Sequence, residues 1–379
     1  MAWDYLKRIF GRRRKGDAKN PEIPWLAAAD NRWGVPVLDV RPLTQTVTSW
    51  SLDKEEAANA ISFGHDDGTS FIGQEPPVAR NIAASLWFPI DRLLADGVLF
   101  TPREMEHKWA LFHHRGKMIC VRSWQRQVQA VAQVEARGSH AEITAIRGTF
   151  ATADEKPAFT IRVLDYLLRS HALGLVYPAP LPPGMDADPK AAAHWCMSAF
   201  GNLAWVATAR ELPRTEPDEP LRTDSLLHIA VARGDIPAIE ARLAAGIPID
   251  LLARDGLAPL HWALAAHNPA IMGLLLERGS SPDVRSYQGA TPLMNAVQGR
   301  NLEQAAFLLD HGADPNARDG RGFTALHRAA EMGEIVIARL LLDRGAAVNP
   351  EADGGQTPRS LAEARGETAV VALLNEKGA

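Results

Sequence analysis

Residues 289–321 read GATPLMNAVQGRNLEQAAFLLDHGADPNARDGR, and residues 322–354 read GFTALHRAAEMGEIVIARLLLDRGAAVNPEADG. Laid on one another, the two stretches match Gly289 with Gly322, Thr291 with Thr324, Leu293 with Leu326, Gly312 with Gly345 and Asn316 with Asn349. The register extends outward in both directions. Its anchors are Ser225-Leu226-Leu227-His228, Ala258-Pro259-Leu260-His261, Thr291-Pro292-Leu293-Met294, Thr324-Ala325-Leu326-His327 and Thr357-Pro358-Arg359-Ser360, each 33 residues after the last. Gly246, Gly279, Gly312, Gly345 and Gly378 keep that step, as do Asp250, Asp283, Asn316 and Asn349, and Gly256, Gly289, Gly322 and Gly355. Ladders that share one period without an insertion mark a repeat architecture rather than a compositional bias.

The residue types explain one unit. Thr or Ser before the first apolar run accepts a hydrogen bond from an orphan backbone N–H, and Pro suits the first helical position, where its missing N–H costs nothing. A second helix carries Leu274-Leu275-Leu276, Phe307-Leu308-Leu309 or Leu340-Leu341-Leu342 and stops at a Gly that adopts the left-handed conformation. Asp or Asn then begins the turn to the next unit. Helices this short cannot bury an apolar face alone, so neighbouring units must stack into one core.

From Asp224 to the end, about 155 residues, the chain resembles the ankyrin repeat family in period and motif. The resemblance implies an all-α solenoid of about five units, each a turn and two helices, with turns and inner helices forming a concave recognition surface. The first unit lacks the Pro, and the fifth has Arg359 and Ser360 where Leu and His are usual; both read as caps. Met294 replaces the usual His and is expected to loosen one turn. On this register the outward, partner-binding positions are Arg222, Arg233, Arg254, Asp255, Tyr287, Gln288, Gln298, Arg321, Phe323, Glu331 and Met332. Arg, Tyr, Phe and Met favour interface centres because they offer large contact area or bidentate hydrogen bonding. His228, His261 and His327 occupy one repeat position; in the family this His bonds the turn before its helix, and no thiol or carboxylate joins it at ligand spacing.

Residues 21–210 differ in character, and with the opening stretch they hold nine of the ten tryptophans. Short apolar, β-branched runs from Lys108 to Arg147, broken at Arg115-Gly116-Lys117 and Arg137-Gly138-Ser139, predict a small antiparallel meander. Helical patterns at Phe159–Leu173 and Ala191–Ala209 complete an α+β domain of no recognised family. Residues 211–223, with Pro213, Pro217 and Pro220 among acidic side chains, read as a linker.

Chemistry-bearing groups are sparse in this region. Glu104, Glu106, His107, His113 and His114 are the densest cluster, but strand alternation sends His113 and His114 to opposite faces. His194 and Cys196 stand about 200° apart on a helix, unsuited to a nucleophile pair. Trp87, Trp109, Trp124, Trp195 and Trp205 read as core. No phosphate loop, nucleophile elbow or metal motif occurs, so no cofactor or metal is implied.

The formal net charge of −4 offers nucleic acid no global attraction. Residues 1–20 reverse this locally: Lys7, Arg8, Arg12, Arg13, Arg14 and Lys15 lie among Trp3, Tyr5 and Phe10, a candidate for weak contact with an anionic membrane or nucleic acid. Two cysteines, no secretory signal and no apolar run of spanning length point to a soluble, cytoplasmic protein. The expected function is that of an adaptor or regulatory protein docking a protein partner on the repeat surface. The alternative is an enzyme in residues 21–210 with the repeats recruiting its substrate.

Overall fold

The computed structural model describes residues 23–41, 53–91, 93–104, 106–185, 187–201, 205–207 and 217–378. The basic opening segment, with its expected membrane or nucleic-acid contact, lies outside the described residues, as do 208–216. The chain divides after Thr223 into two compact units.

In the first unit, β1 (Trp25–Leu26) and β2 (Val37–Asp39) belong to a small sheet. Helix α1 (Lys54–Ile61) precedes β3 (Asn81–Pro89), β4 (Gly97–Phe100), β5 (Trp109–His114), β6 (Lys117–Arg122), β7 (Gln127–Arg137) and β8 (His140–Gly148). These six strands lie in the order β4, β5, β6, β7, β8, β3, every neighbour antiparallel. The expected meander is therefore real but forms the middle of a larger sheet. Its first hairpin turns at Arg115-Gly116, both at positive φ (51° and 71°), which matches the twist of a two-residue connection.

One sheet face packs on α2 (Pro157–Leu167), which widens into a π turn at Leu168–Ala172, and on α3 (Pro189–Phe200), through Trp109, Met118, Ile143, Val163, Leu164 and Phe200. Over the other face of β5, Phe112 stacks on Phe63 and Phe71, at 6.4 and 5.6 Å. Strands β9 (Pro178–Pro180) and β10 (Trp205–Ala207) pair in parallel and complete the small sheet. The helix expected to run to Ala209 ends at Phe200. Its last carbonyls are taken by side chains, Ser198 and Ala199 by the Arg122 guanidinium and Ala199 also by the Trp109 indole at 2.7 Å. Gly201 then leaves the helix at φ 81°, with the Glu106 carbonyl so close that a side chain there would collide.

The second unit is helical. Among the described residues it contains α4 (Leu226–Arg233), α5 (Ile236–Ala244), α6 (Pro259–Ala265), α7 (Pro269–Glu277), α8 (Pro292–Gln298), α9 (Leu302–Asp310), α10 (Ala325–Glu331), α11 (Ile335–Asp343), α12 (Pro358–Arg365) and α13 (Thr368–Glu376). Each even-numbered helix packs on its odd-numbered successor and on the next even-numbered helix. One continuous core results, with Leu227, Leu260, Leu293 and Leu326 at equivalent places and Ile271, Leu275, Leu308, Leu341 and Leu374 from the second helices.

Candidate protein-docking face

The turn before each of α6, α8, α10 and α12 folds into a short finger closed by an i to i+4 backbone bond. Ala253 N–H donates to the Leu257 carbonyl, Ser286 to Ala290, Asp319 to Phe323 and Ala352 to Gln356, at 2.8–2.9 Å. Neighbouring fingers are tied edge to edge: Tyr287 N–H donates to Gly256 O (2.8 Å), Gly320 N–H to Gln288 O (3.1 Å) and Asp353 N–H to Arg321 O (3.0 Å). The ladder glycines make this approach feasible, since Gly256, Gly289 and Gly322 sit at φ 76–82° and a Cβ there would press on the next finger.

Side chains bridge the units as well. His228 Nε2 reaches the Leu257 carbonyl (3.1 Å), His261 Nε2 that of Ala290 (3.3 Å) and His327 Nε2 that of Gln356 (3.1 Å), each in the following turn. The Nδ1 atoms of His261 and His327 accept from the Ala258 and Thr324 N–H groups, so their protons belong on Nε2, which donates forward. Burial holds His228 and His261 down at about 4 and lowers His327 too, keeping the rings neutral at pH 7. The family His thus fastens its own turn and the next one. Met294 breaks the series; the Phe323 carbonyl, at the corresponding place, accepts from Asp319 N–H.

The Asp/Asn ladder does similar work. Asp250 accepts from Ser280 Oγ (2.6 Å), Asp283 from Asp314 N–H (3.0 Å) and Asn316 from Ala347 N–H (2.7 Å), each a contact to the next unit. A further ladder lies at the start of the second helices, where Asp235, Asn268 and Asn301 accept from the N–H three residues on. Its 33-residue step is itself legible in the sequence.

This scaffold presents most of the expected partner-binding positions and withdraws two. Tyr287 (51% exposed), Gln288 and Arg321 stand on the second and third fingers. Asp255, on the first, accepts from the Trp262 indole at 3.0 Å, while Arg254 is half-buried and paired with Asp224 at 3.2 Å. Arg233 and Gln298 are exposed at the ends of α4 and α8. Glu331 and Met332 are half-buried at the end of α10, Glu331 paired with Arg365 at 2.6 Å. Phe323 is a correction: it is buried at 6% exposure, its ring lying 5.1 Å from His327 and beneath the Arg321 and Arg328 guanidiniums. It seats Arg321 rather than meeting solvent. Arg222 is the other: it lies in the first unit, buried against Asp91 at 2.6 Å. The 33-residue register assigned it to a turn that no earlier repeat precedes.

The candidates of the first unit do not gather into one site. His113 Nδ1 bonds the Ala95 carbonyl (3.1 Å), and His114 Nε2 that of Asp67 (2.7 Å). Both Nδ1 atoms also come near one carboxylate, Asp96, at 3.8 and 4.0 Å, since Asp96 stands beside the strand end. His107 Nδ1 accepts from Arg103 N–H, and Glu104 and Glu106 act on it through space. His194 is half-buried and bonds the Lys190 carbonyl, while burial pushes the Cys196 thiol well above its ordinary range, disfavouring the thiolate. Trp109 and Trp124 are core as expected, but Trp87 is 39% exposed, with Arg137 over its ring. No group of three or more His, Cys, Asp or Glu side chains is placed to hold a metal among the described residues.

Comparison with known families agrees with the repeat register. Residues 227–319 match the model described as ankyrin repeats (3 copies), and residues 299–342 match that described as ankyrin repeats (many copies). Ankyrin repeats therefore occupy residues 227–342, and no family model matches the N-terminal region. No curated protein matches the chain. No helix among the described residues is long and apolar enough to cross a membrane.

Proposed function

We propose that the second unit is an ankyrin solenoid that docks a folded protein partner on its fingers and inner helices, and that the chain serves as an adaptor or regulatory protein in the cytoplasm. Ankyrin repeats are in general protein-interaction modules. The observation carrying this reading is the finger-to-finger ladder through Gly256, Tyr287, Gln288, Gly320, Arg321 and Asp353. It fixes the backbone, so that the exposed Tyr287, Gln288 and Arg321 side chains are offered without a loop-ordering cost, the condition under which large side chains contribute most to affinity.

The test is affinity capture from native extract with the full chain beside Tyr287→Ala/Arg321→Ala, with mass spectrometry of the retained proteins and titration of any purified partner. A partner lost by the double variant at unchanged melting temperature supports this face. Undiminished affinity moves docking elsewhere.

A further inference from the structure

The fingers differ in how their charges are satisfied. On the first, Arg254 pairs with Asp224, and Asp255 takes the Trp262 indole and the Leu257 N–H. On the third, Asp319 takes Arg328 at 3.1 Å and the N–H groups of Arg321 and Phe323, both at 2.9 Å. Three exposed guanidiniums have another setting. Arg285 donates to the Arg318 carbonyl, Arg318 donates to the Glu351 carbonyl at 2.7 Å, and Arg321 lies 4.9 Å from the centre of the Phe323 ring. Asp283 is near enough to act on Arg285 through space, but its oxygens take the Asp314 N–H. Among the described residues no carboxylate pairs with these three at ion-pair distance. Carbonyls and a ring face orient a guanidinium yet leave its charge in place, and the five-donor fork retains hydrogens to give.

We propose that Arg285, Arg318, Arg321 and Tyr287 receive an extended acidic segment of a protein partner, with carboxylates meeting the guanidiniums and Tyr287 packing on the chain between them. This rests on the docking reading above and names the chemistry of what docks. Arg285 and Arg318 hold equivalent places in successive repeats, and packed helices lie about 8–10 Å apart. An extended chain in the polyproline II conformation covers that span in about three residues at ~3.1 Å each and returns to the same face every third residue, so acidic side chains three apart fit best. The exposed Glu351 and Asp353 on the fourth finger repel further acid and set where the acidic stretch ends.

The test is fluorescence anisotropy on the full chain with a labelled peptide of about twelve residues bearing glutamate at every third position, beside its glutamine twin. The glutamate peptide is expected to bind at least about tenfold more tightly at low salt, and to lose that advantage as salt shortens the screening length from about 10 Å at 0.1 M to about 3 Å at 1 M. Arg321→Ala, which leaves the finger-to-finger backbone bonds in place, and Arg318→Ala/Arg321→Ala should each weaken it, whereas Arg344→Ala, just past the end of α11, should not. Equal binding of both peptides, binding of neither, or indifference to Arg321→Ala overturns the proposal. So does tighter, arginine-dependent binding of poly(U) or phosphatidylserine vesicles, which would assign the edge to another polyanion. If the glutamine twin binds as well and Tyr287→Ala weakens it, only the acidic assignment falls and the docking face stands; loss of the captured partner's dependence on Tyr287 and Arg321 is the separate failure of that reading.

Discussion

The backbone N–H of Tyr287 donates to the carbonyl of Gly256 at 2.8 Å, and the Tyr287 Cβ stands 2.7 Å from where a Cβ on residue 256 would lie. One finger is thus seated in the space that the missing side chain of its neighbour leaves. Gly256→Ala should disturb both backbone and contact, whereas Gly355→Ala, at the same φ of 76° but with nothing within 4 Å, should incur only the backbone strain. That strain is about 1–3 kcal/mol. Chemical denaturation of the two variants should show the larger loss at Gly256; equal losses would mean the fingers are not closely seated.

Leu308 is fully buried in the repeat core. Leu308→Ala should destabilise the second unit by about 2–5 kcal/mol, since a cavity is added to the lost transfer energy. A neutral result in denaturant unfolding would show the helix register to be wrong.

The neutral histidines make the repeat unit acid-sensitive. His228 and His261 are held at about 4 by burial, against an ordinary value of 6.5, so the unfolded chain binds protons before the folded one does. Their contribution is complete above pH 6.5 and is lost as pH falls toward 4. Ring signals of both residues should stay neutral in NMR titrations down to about pH 5. The unfolding midpoint of this unit should fall between pH 7 and 5; a flat midpoint would contradict their burial.

Met294 interrupts an otherwise regular set of histidine bridges. Met294→His should offer an Nε2 donor toward the Phe323 carbonyl and add about 0.5–1.5 kcal/mol, the usual net worth of a hydrogen bond. Destabilisation would show that the 3%-exposed methionine packs too closely for an imidazole to replace it.

The sequence alone determined the repeat fold, because each unit sees the same neighbours and so the same residue types must recur every 33 positions: Leu for the core, Gly for the left-handed turn, His and Asp for the junctions. It also determined the β5–β6 hairpin, whose Arg115-Gly116 turn is local chemistry. Only the tertiary structure decided what meets solvent. Phe323 and Tyr287 both belong to finger turns, yet the Phe323 ring turns in beneath the Arg321 and Arg328 guanidiniums of its own unit while Tyr287 is 51% exposed, a side-chain placement that the 33-residue register does not encode. Asp91 claims Arg222 from 131 residues away, and His113 and His114 share Asp96 across a strand end. Such contacts join parts of the chain that carry no repeat to announce them, and three-dimensional packing alone brings them together.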